Sequence, residues 1–290
     1  MATDPGLVLV DKPVGWTSRK AGAIVSKGLG VRKLGHLGTL DPFATGLLPL
    51  CLGRGTRLSA FLDQDSKVYE AILQLGQATD SLDCEGEPTE SADVPPFDQA
   101  DLDRVASTFI GEVQQIPPAF SAVRVGGQRA YKRARRGEAV EMPSRTVRID
   151  SLTLRAEAAD RLALCIQCGP GTYVRTVGAD VAKALGTVGH LTALRRTGVG
   201  PLSVDEASHP EALAAGSVWS VADLLRRLGE PIVMDAANAR WVRDGKPLEK
   251  LEQLSGCDDG RYAIFDVESP VALIERQRGL WKILRGLPPA

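Results

Sequence analysis

The chain has 290 residues, a formal net charge of −1, and 43% hydrophobic against 24% charged residues, a composition typical of a globular protein rather than a disordered one. No apolar run approaches the roughly 20 residues of a membrane helix, and the N-terminus lacks the basic-then-apolar layout of a signal peptide. Five irregularly spaced cysteines favour reduced thiols, so we expect a cytoplasmic protein without a membrane segment.

The N-terminal part of the chain predicts a strand, a turn and a helix. Leu7–Val10 is a short apolar run, and Asp11-Lys12-Pro13-Val14-Gly15 ends it with turn residues. Thr17 or Ser18 can cap a helix that runs to about Lys27, and Gly28 and Gly30 can close it.

The segment Gly35-His36-Leu37-Gly38-Thr39-Leu40-Asp41-Pro42-Phe43-Ala44-Thr45-Gly46-Leu47-Leu48 places one carboxylate and one imidazole in otherwise apolar and glycine-rich surroundings. A charged side chain in this setting must stay at the surface, find a partner or line a site. The residue types alone favour a simpler interpretation, because Asp followed by Pro is a common helix start. His36 alone is more often a hydrogen-bonded turn residue than a catalyst.

The middle of the chain predicts a strand over Val68–Leu75, an acidic surface excursion over 77–97, and a helix that Asp98 caps and that ends near Ile110. A basic arm at about 123–143 follows, and its centre can form one or two helical turns. Strands are predicted near 145–155 and 161–168. The Cys165-Ile166-Gln167-Cys168 pattern lies in the second of these strands, without a second pair to complete a zinc site, so we predict neither a metal nor a redox role.

The last third predicts a helix over Tyr173–Leu185, a strand over Val188–Val199 and a helix over Pro210–Leu228. Gly229-Glu230-Pro231 is a predicted boundary, which divides the chain into residues 1–230 and 231–290. The second part is short and rich in turns, with strands at Tyr262–Val267, Val271–Glu275 and Trp281–Leu284. Strands and helices without strict alternation predict an α+β protein with a mixed sheet.

Charge is strongly segregated along the chain. Residues 1–60 carry a net charge of +5 and residues 124–148 a net charge of +6, whereas residues 61–105 carry −10. A nearly neutral protein with this distribution can present a basic face to a polyanion such as RNA. Two solvated surfaces of opposite sign explain the same numbers equally well.

The Asp41 segment, with Leu48-Pro49 after it, resembles the catalytic motif of the TruB family of tRNA pseudouridine synthases. The resemblance implies that Asp41 is the essential catalytic residue of uridine isomerisation. Our own hypothesis is that His36 and its glycine-flanked loop fill the space that the flipped base vacates and stabilise the flipped state. One position departs from the family, which usually has Thr where this chain has Leu37.

A second stretch, Gly169-Pro170-Gly171-Thr172-Tyr173-Val174-Arg175, resembles the family's Gly-Thr-Tyr-Ile-Arg-Thr motif. If Thr172 caps the helix, Arg175 lies in its first turn. A cation there is unfavourable with respect to the helix dipole, so we expect a nearby anion to compensate for it. A surface salt bridge is the simpler alternative. The resemblance implies instead that Arg175 pairs with Asp41 and keeps it ionised, and that Tyr173 packs in the same pocket.

The resemblance assigns further residues. It implies that Tyr69 stacks on the target base, that Leu194 lines the pocket edge, and that Lys12 and Arg57 contact the pocket or the RNA backbone. The arm is similar to the family's thumb-like insertion, which clamps the T-stem loop. The predicted RNA-binding residues are basic side chains of the arm and of the predicted strand over Val188–Val199: Arg124, Arg129, Lys132, Arg133, Arg135, Arg136, Arg195 and Arg196. Trp241–Pro247 is similar to a turn of the RNA-binding PUA module.

The resemblance therefore implies a pseudouridine synthase core with an RNA-binding insertion and a small, mostly-β, PUA-like C-terminal domain. The implied substrate is the uridine at position 55 in the tRNA T loop. The reaction needs no cofactor and no metal, and we expect a monomer without an obligate protein partner. Three alternatives compete: a non-catalytic RNA-folding protein on the same scaffold, a synthase with another or guide-dependent target, and a hydrolytic glycosidase. The last needs a second carboxylate across the bond, which neither motif supplies.

Overall fold

The computed structural model describes residues 5–121, 123–130, 133, 136, 138 and 141–288, with only the backbone of Arg124 and Arg129. Its strands are β1 (Pro5–Lys12), β2 (Leu34–His36), β3 (Thr45–Leu52), β4 (Lys67–Leu75), β5 (Gln77–Thr79), β6 (Pro88–Ser91), β7 (Gly111–Gln115), β8 (Arg124–Val125), β9 (Gln128–Arg129), β10 (Arg145–Ala158), β11 (Arg161–Cys168), β12 (Gly189–Val199), β13 (Leu202–Ser203), β14 (Val218–Ser220), β15 (Glu230–Met234), β16 (Gly260–Asp266), β17 (Ser269–Gln277) and β18 (Leu280–Gly286). The helices are α1 (Ser18–Leu29), α2 (Ser59–Asp63), α3 (Gln99–Ser107), α4 (Val174–Ala184), α5 (Val221–Leu228) and α6 (Ala236–Arg243).

Ten of the described strands form one sheet, in the order β14-β1-β3-β12-β4-β11-β10-β7, with β2 beside β3 and β13 beside β12. The β12–β3 pair is parallel and the β12–β4 pair is antiparallel, so the sheet is mixed. The predicted α+β class with a mixed sheet is confirmed. The central position of β12 matters for function, because this strand joins the Asp41 segment on one side to β4 on the other.

Alternation along β4 explains why one face of the sheet is covered. Tyr69, Ala71 and Leu73 are buried, whereas Glu70 between them is exposed, as the period of two in a strand requires. The buried face packs against α3 and α4 in the largest hydrophobic core cluster. This packing carries the start of α4, and with it Arg175, to the sheet.

Helix starts were predicted better than helix ends. Thr17 caps α1 by accepting from the Lys20 N–H, and Asp98 caps α3 in a capping box with Asp101. However, α1 continues to Leu29 before Gly30 closes it in a left-handed conformation, and α3 ends at Ser107. Termini within a few residues of the predicted ones leave the packing faces unchanged.

The predicted helix over Pro210–Leu228 is wrong in its first half. Val218 and Trp219 instead form β14, which pairs with the edge of β1. Ser220 then caps α5 in a capping box with Asp223. The apolar residues before Ser220 pair with the open edge of the sheet at β1. This strand pairing takes the place of the predicted helix.

The predicted mostly-β C-terminal part is present. Strands β15 to β18 form a second sheet, and α6 packs on it around a core of its own. A further core cluster crosses residue 230, because Leu224 and Leu228 of α5 pack with Phe265 and Leu273 of this sheet. Among the described residues, no helix has the length and apolar character needed to cross a membrane.

Candidate active site

One cavity of about 280 Å³ brings together predicted site residues from four distant segments. Asp41 comes from the loop before β3, Tyr69 from β4, Arg175 and Tyr173 from the start of α4, and Leu194 from β12. The sheet order described above makes these segments neighbours. The two sequence motifs therefore meet in space.

The loop at Asp41 is not a helix start. The Ala44 N–H donates to the Asp41 carbonyl in a turn, and β3 then begins at Thr45, so the helix-cap interpretation is wrong. The loop is held from behind, because the buried Ser18 hydroxyl bonds both the N–H and the carbonyl of Leu40 at 2.9 and 3.0 Å. These bonds leave the Asp41 side chain free to face the cavity.

Gly46 lets the loop approach β12. Its φ is +97°, and a Cβ there would lie 2.3 Å from the Arg196 carbonyl oxygen. Only glycine combines this backbone angle with so close an approach. The parallel pairing of β3 with β12 depends on it.

Lys12 supports the loop from inside the protein. Its side chain is fully buried, and Nζ donates to the carbonyls of Pro13 (2.9 Å), Trp16 (2.6 Å) and Pro42 (3.3 Å). Burial lowers the pKa of Lys12 to about 8, although the negative charge of Asp41 opposes this shift. An ammonium has three donors, and all three are used here. Lys12 therefore fixes the position of the loop in this structure, and its contact with the pocket or the RNA backbone stays a prediction.

Arg175 is the centre of the site. It is the second residue of α4 and only 3% exposed, so the surface salt bridge considered as an alternative is wrong. Nη2 lies 3.0 Å from Oδ2 of Asp41, which is the pairing predicted from the sequence. The guanidinium also donates to the carbonyls of Ser81 and Phe120, at 2.6 and 3.0 Å.

Asp83 is a second carboxylate on the same guanidinium, and the sequence did not predict it. Its Oδ2 lies 3.1 Å from Arg175 Nη1, and its Oδ1 accepts from the Ser81 hydroxyl (2.6 Å) and the Glu85 N–H (3.1 Å). Asp83 belongs to the 77–97 excursion, which was predicted to lie at the surface, yet it is 4% exposed. Alternation of serine and aspartate with turn residues gives no signal that this segment folds back to the site.

Burial raises the pKa of the Asp41 carboxyl, and the charge of Asp83 raises it further, whereas Arg175 lowers it. The net direction is upward. Arg175 therefore favours the ionised form of Asp41, as expected, but it offsets only part of the rise in pKa that burial causes. A carboxylate whose pKa is raised in a sheltered cavity is a stronger base than one in water, and it can act as base or nucleophile.

Tyr69 and Arg196 line the same cavity as Asp41. Tyr69 is 8% exposed, and burial raises the pKa of its phenol although a hydrogen bond from Arg196 opposes the shift. Arg196 is 1% exposed and donates from Nε to the Leu47 carbonyl at 2.7 Å and from Nη2 to the Leu37 carbonyl at 3.2 Å. Two of its nitrogens thus bind backbone carbonyls inside the protein, although Arg196 lines the cavity, and its contact with RNA stays a prediction.

Arg195 points to the other face of β12, as neighbours on a strand do. It makes a bidentate ion pair with Asp11, at 3.0 and 2.8 Å, and does not line the cavity. The two adjacent arginines therefore do not share one RNA surface.

His36, Leu37 and Arg57 are not among the residues that line the cavity. His36 is exposed at the end of β2, and partial burial and Arg196 lower its pKa. Leu37 is 2% exposed in the core cluster that holds Leu47, which gives the departure from the family motif a packing role. Arg57 is exposed at the end of a short 3-10 helix.

The described part of the arm begins with a hairpin in which the backbones of Arg124 and Arg129 pair. Glu138 accepts from Arg133 at 2.9 Å and from Arg136 at 2.8 Å, and the Arg136 side chain is 57% exposed. Lys132 and Arg135, with the side chains of Arg124 and Arg129, lie outside the described residues.

Several lining residues had no sequence signal as site residues. They come from segments that only the fold brings to the cavity, and they are Asp63, Lys67, Ser121 and Arg145. The Arg145 guanidinium lies 4.7 Å from the centre of the Tyr173 ring. Lys67 donates from Nζ to the carbonyls of Asp63 and Asp65, at 2.7 and 2.9 Å.

Comparisons with known proteins agree with this geometry. The family model "TruB family pseudouridylate synthase (N terminal domain)" matches residues 26–174. The chain is 38% identical to "tRNA pseudouridine synthase B" of Xanthomonas campestris pv. campestris, over 92% of this chain and 89% of that protein. It is 44% identical to the protein of that name from Thermobifida fusca, over 83% and 85% of the two chains. A third relative of that name, from Psychrobacter cryohalolentis, is 45% identical over 69% of this chain, which spans 57% of that longer protein.

Among solved structures, a chain of "Crystal Structure of a Cbf5-Nop10-Gar1 Complex" is similar with a TM-score of 0.69 at 21% identity, covering 99% of this chain and 85% of that one. A likeness at this identity supports the fold alone, including the C-terminal sheet. The family model and the identity of the relatives go further. The chain belongs to the TruB family of pseudouridylate synthases.

Proposed function

We propose that this protein converts uridine to pseudouridine in tRNA, at position 55 of the T loop, with Asp41 as the catalytic residue. The observation that carries the proposal is the Asp41 carboxylate, which pairs with the buried Arg175 and lines one cavity together with Tyr69. The name shared by the relatives supports tRNA as the substrate.

The chemistry is an isomerisation. The bond from N1 to C1′ breaks, the uracil turns, and a bond from C5 to C1′ forms; C5 gives up its proton and N1 gains one, so that no atom is added overall. Asp41 can serve by attacking C1′ or by removing the 2′ proton, and both routes need the carboxylate ionised. Arg175 orients it, while Tyr69 offers a ring on which the base can stack.

The cavity size supports base flipping. At about 280 Å³ the cavity is at the lower end of the range for small-ligand sites, so a single nucleoside enters rather than a helix. The target nucleotide must leave its stack, at a cost of a few kcal/mol. We propose that the exposed His36 helps hold the RNA in the flipped state.

RNA would bind across the basic surface around the cavity. Arg57 and the arm residues Arg133 and Arg136 are the described cations that we assign to phosphate contacts.

We assign residues 1–230 to catalysis, and residues 231–290 to a PUA-like module that adds RNA contacts. Because one chain supplies all the residues named in the cavity, we propose a monomer that needs no partner protein and works on tRNA in the cytoplasm.

The test is tritium release from a T-stem-loop transcript that carries C5-tritiated uridine. We expect release to approach one equivalent per RNA and to disappear when the target uridine is replaced by cytidine. Tight binding without release would favour a non-catalytic RNA-folding protein. Release that persists in the cytidine transcript would show that another uridine is the target.

The affinity for the stem-loop should fall steeply with salt, because phosphate contacts release counterions. Arg57→Ala and Arg136→Ala should each weaken binding at low salt and reduce the magnitude of the slope of log K against log salt by about one. Arg161→Ala is the matched control, since Arg161 is an exposed arginine at the far end of β11, paired with Glu157. Equal slopes in all three variants and the wild type would contradict the assigned phosphate contacts.

A further inference from the structure

One hydroxyl in the cavity wall has no use within the protein. Ser121 is 5% exposed, and its Oγ has no hydrogen-bond partner among the residues that the structure describes. A buried hydroxyl without a partner is unfavourable, so such a group calls for a specific reason. Ser121 lines the cavity together with Asp41 and Tyr69, which means that a bound substrate could supply the missing partner.

The backbone around Ser121 is tied to the catalytic groups. The carbonyl of Phe120, one residue earlier, accepts from Arg175 Nη2 at 3.0 Å, and the same guanidinium nitrogen lies 3.0 Å from Asp41. The Ser121 N–H donates to the Ala119 carbonyl. Arg175 therefore links the backbone next to Ser121 to the Asp41 carboxylate, and both residues line the same cavity.

Several other polar groups of the cavity have partners within the protein. Thr172 Oγ1 donates to the Gly169 carbonyl at 3.0 Å, and Lys67 Nζ donates to the carbonyls of Asp63 and Asp65. Among the described lining residues, the buried side-chain atoms without a hydrogen-bond partner are Ser121 Oγ and Arg145 Nε, and only the first belongs to a hydroxyl.

We propose that Ser121 Oγ donates a hydrogen bond to a carbonyl of the flipped uracil and keeps that bond in both orientations of the base. The inference rests on the proposed function. Turning uracil about the axis through N3 and C6 exchanges N1 with C5, and it also exchanges O2 with O4. A fixed donor that holds one carbonyl before the turn thus meets the other carbonyl after it. Cytosine offers a carbonyl in one orientation and an amino group in the other, so the same contact favours uracil.

The experiment measures the single-turnover rate and the dissociation constant of a T-stem-loop for wild type and Ser121→Ala. The target nucleoside is uridine, 2-thiouridine or 4-thiouridine, because sulfur is a weak acceptor. The matched control is Ser107→Ala, which removes a hydroxyl of α3 that donates to the Arg104 carbonyl at the surface. Thermal melting verifies folding, and Ser121→Cys, which keeps the shape with a weak donor, serves if the alanine variant is unstable.

We expect Ser121→Ala to slow isomerisation about tenfold, the effect of one lost buried hydrogen bond, with the dissociation constant changed less than about twofold. Thio substitution should slow the wild type and Ser107→Ala more than it slows Ser121→Ala. The alanine variant at position 121 has already lost the hydrogen bond to the carbonyl that sulfur would weaken. A wild-type rate in Ser121→Ala would overturn the inference. The inference would also be overturned if each thio substrate slowed Ser121→Ala by the same factor as it slows the wild type, because the two changes would then act independently. If the wild type itself forms no pseudouridine, the proposed function fails rather than the assignment of Ser121.

Discussion

Asp41→Asn is expected to lower isomerisation of the stem-loop by at least about 10³-fold, because an amide can neither attack C1′ nor accept the 2′ proton. The substitution keeps the shape of the side chain and one oxygen for Arg175, whose Nη2 lies 3.0 Å away. RNA affinity depends on phosphate contacts elsewhere and should change less than about threefold. Tritium release and filter binding on the same preparations measure both quantities.

Asp63→Asn is the matched control. Asp63 is an exposed carboxylate that lines the same cavity, and it has no ion pair with Arg175. It should lose less than about tenfold in rate, since its charge contributes to the field of the cavity without touching the reacting bond. An Asp63→Asn variant as inactive as Asp41→Asn, or an Asp41→Asn variant above about 1% of the wild-type rate, would contradict the assignment of the catalyst.

The pairing of Asp41 with Arg175 was predictable because each residue lies in its own recognisable motif and each has an unmet electrostatic need. Arg175 opposes the helix dipole and must find an anion, and Asp41 lies among apolar residues and must find a cation. These local signals say only that each residue needs a partner, and the resemblance to the family motifs is what joined two residues 134 positions apart.

The roles of Arg195 and Arg196 were not predictable to the same degree. A strand must send them to opposite faces, but which one faces the cavity depends on the register of β12. That register shifts between Leu191 and Ala193 and again between Arg196 and Gly198. Each shift reverses the parity of the residues that follow it. Because bulges depend on pairing with β4 and β3, the local sequence does not contain this information.

Asp83 illustrates a different limit. The acidic composition of residues 77–97 predicts a solvated segment, and most of it is exposed. One carboxylate is nevertheless drawn inward, because the buried Arg175 offers more donors than Asp41 alone can use. Arg175, whose donors need this second acceptor, lies about 90 residues later in the sequence. The composition of residues 77–97 therefore cannot predict that Asp83 is buried.

Arg175→Met and Asp83→Asn should shift the acid limb of the pH–rate profile in opposite directions. Activity requires the ionised Asp41, so the rate falls as the pH drops through the pKa of this carboxyl. Arg175 lowers that pKa and Asp83 raises it. Arg175→Met should therefore move the limb to higher pH, whereas Asp83→Asn should move it to lower pH.

Both variants should also reduce the plateau rate, because each removes part of the network that fixes the direction of the Asp41 carboxylate. We expect a loss of about 10²- to 10³-fold for Arg175→Met and a smaller one for Asp83→Asn, which keeps the contacts of Oδ1 with Ser81 and Glu85. Since loss of a buried partner can destabilise the fold by about 3–5 kcal/mol, Arg175→Lys serves as a second variant that retains the charge. Single-turnover rates across the acid range separate the two roles. Lower plateaus with unshifted limbs would mean that Asp83 and Arg175 only support the loop, whereas opposite shifts require that both act on the charge of Asp41.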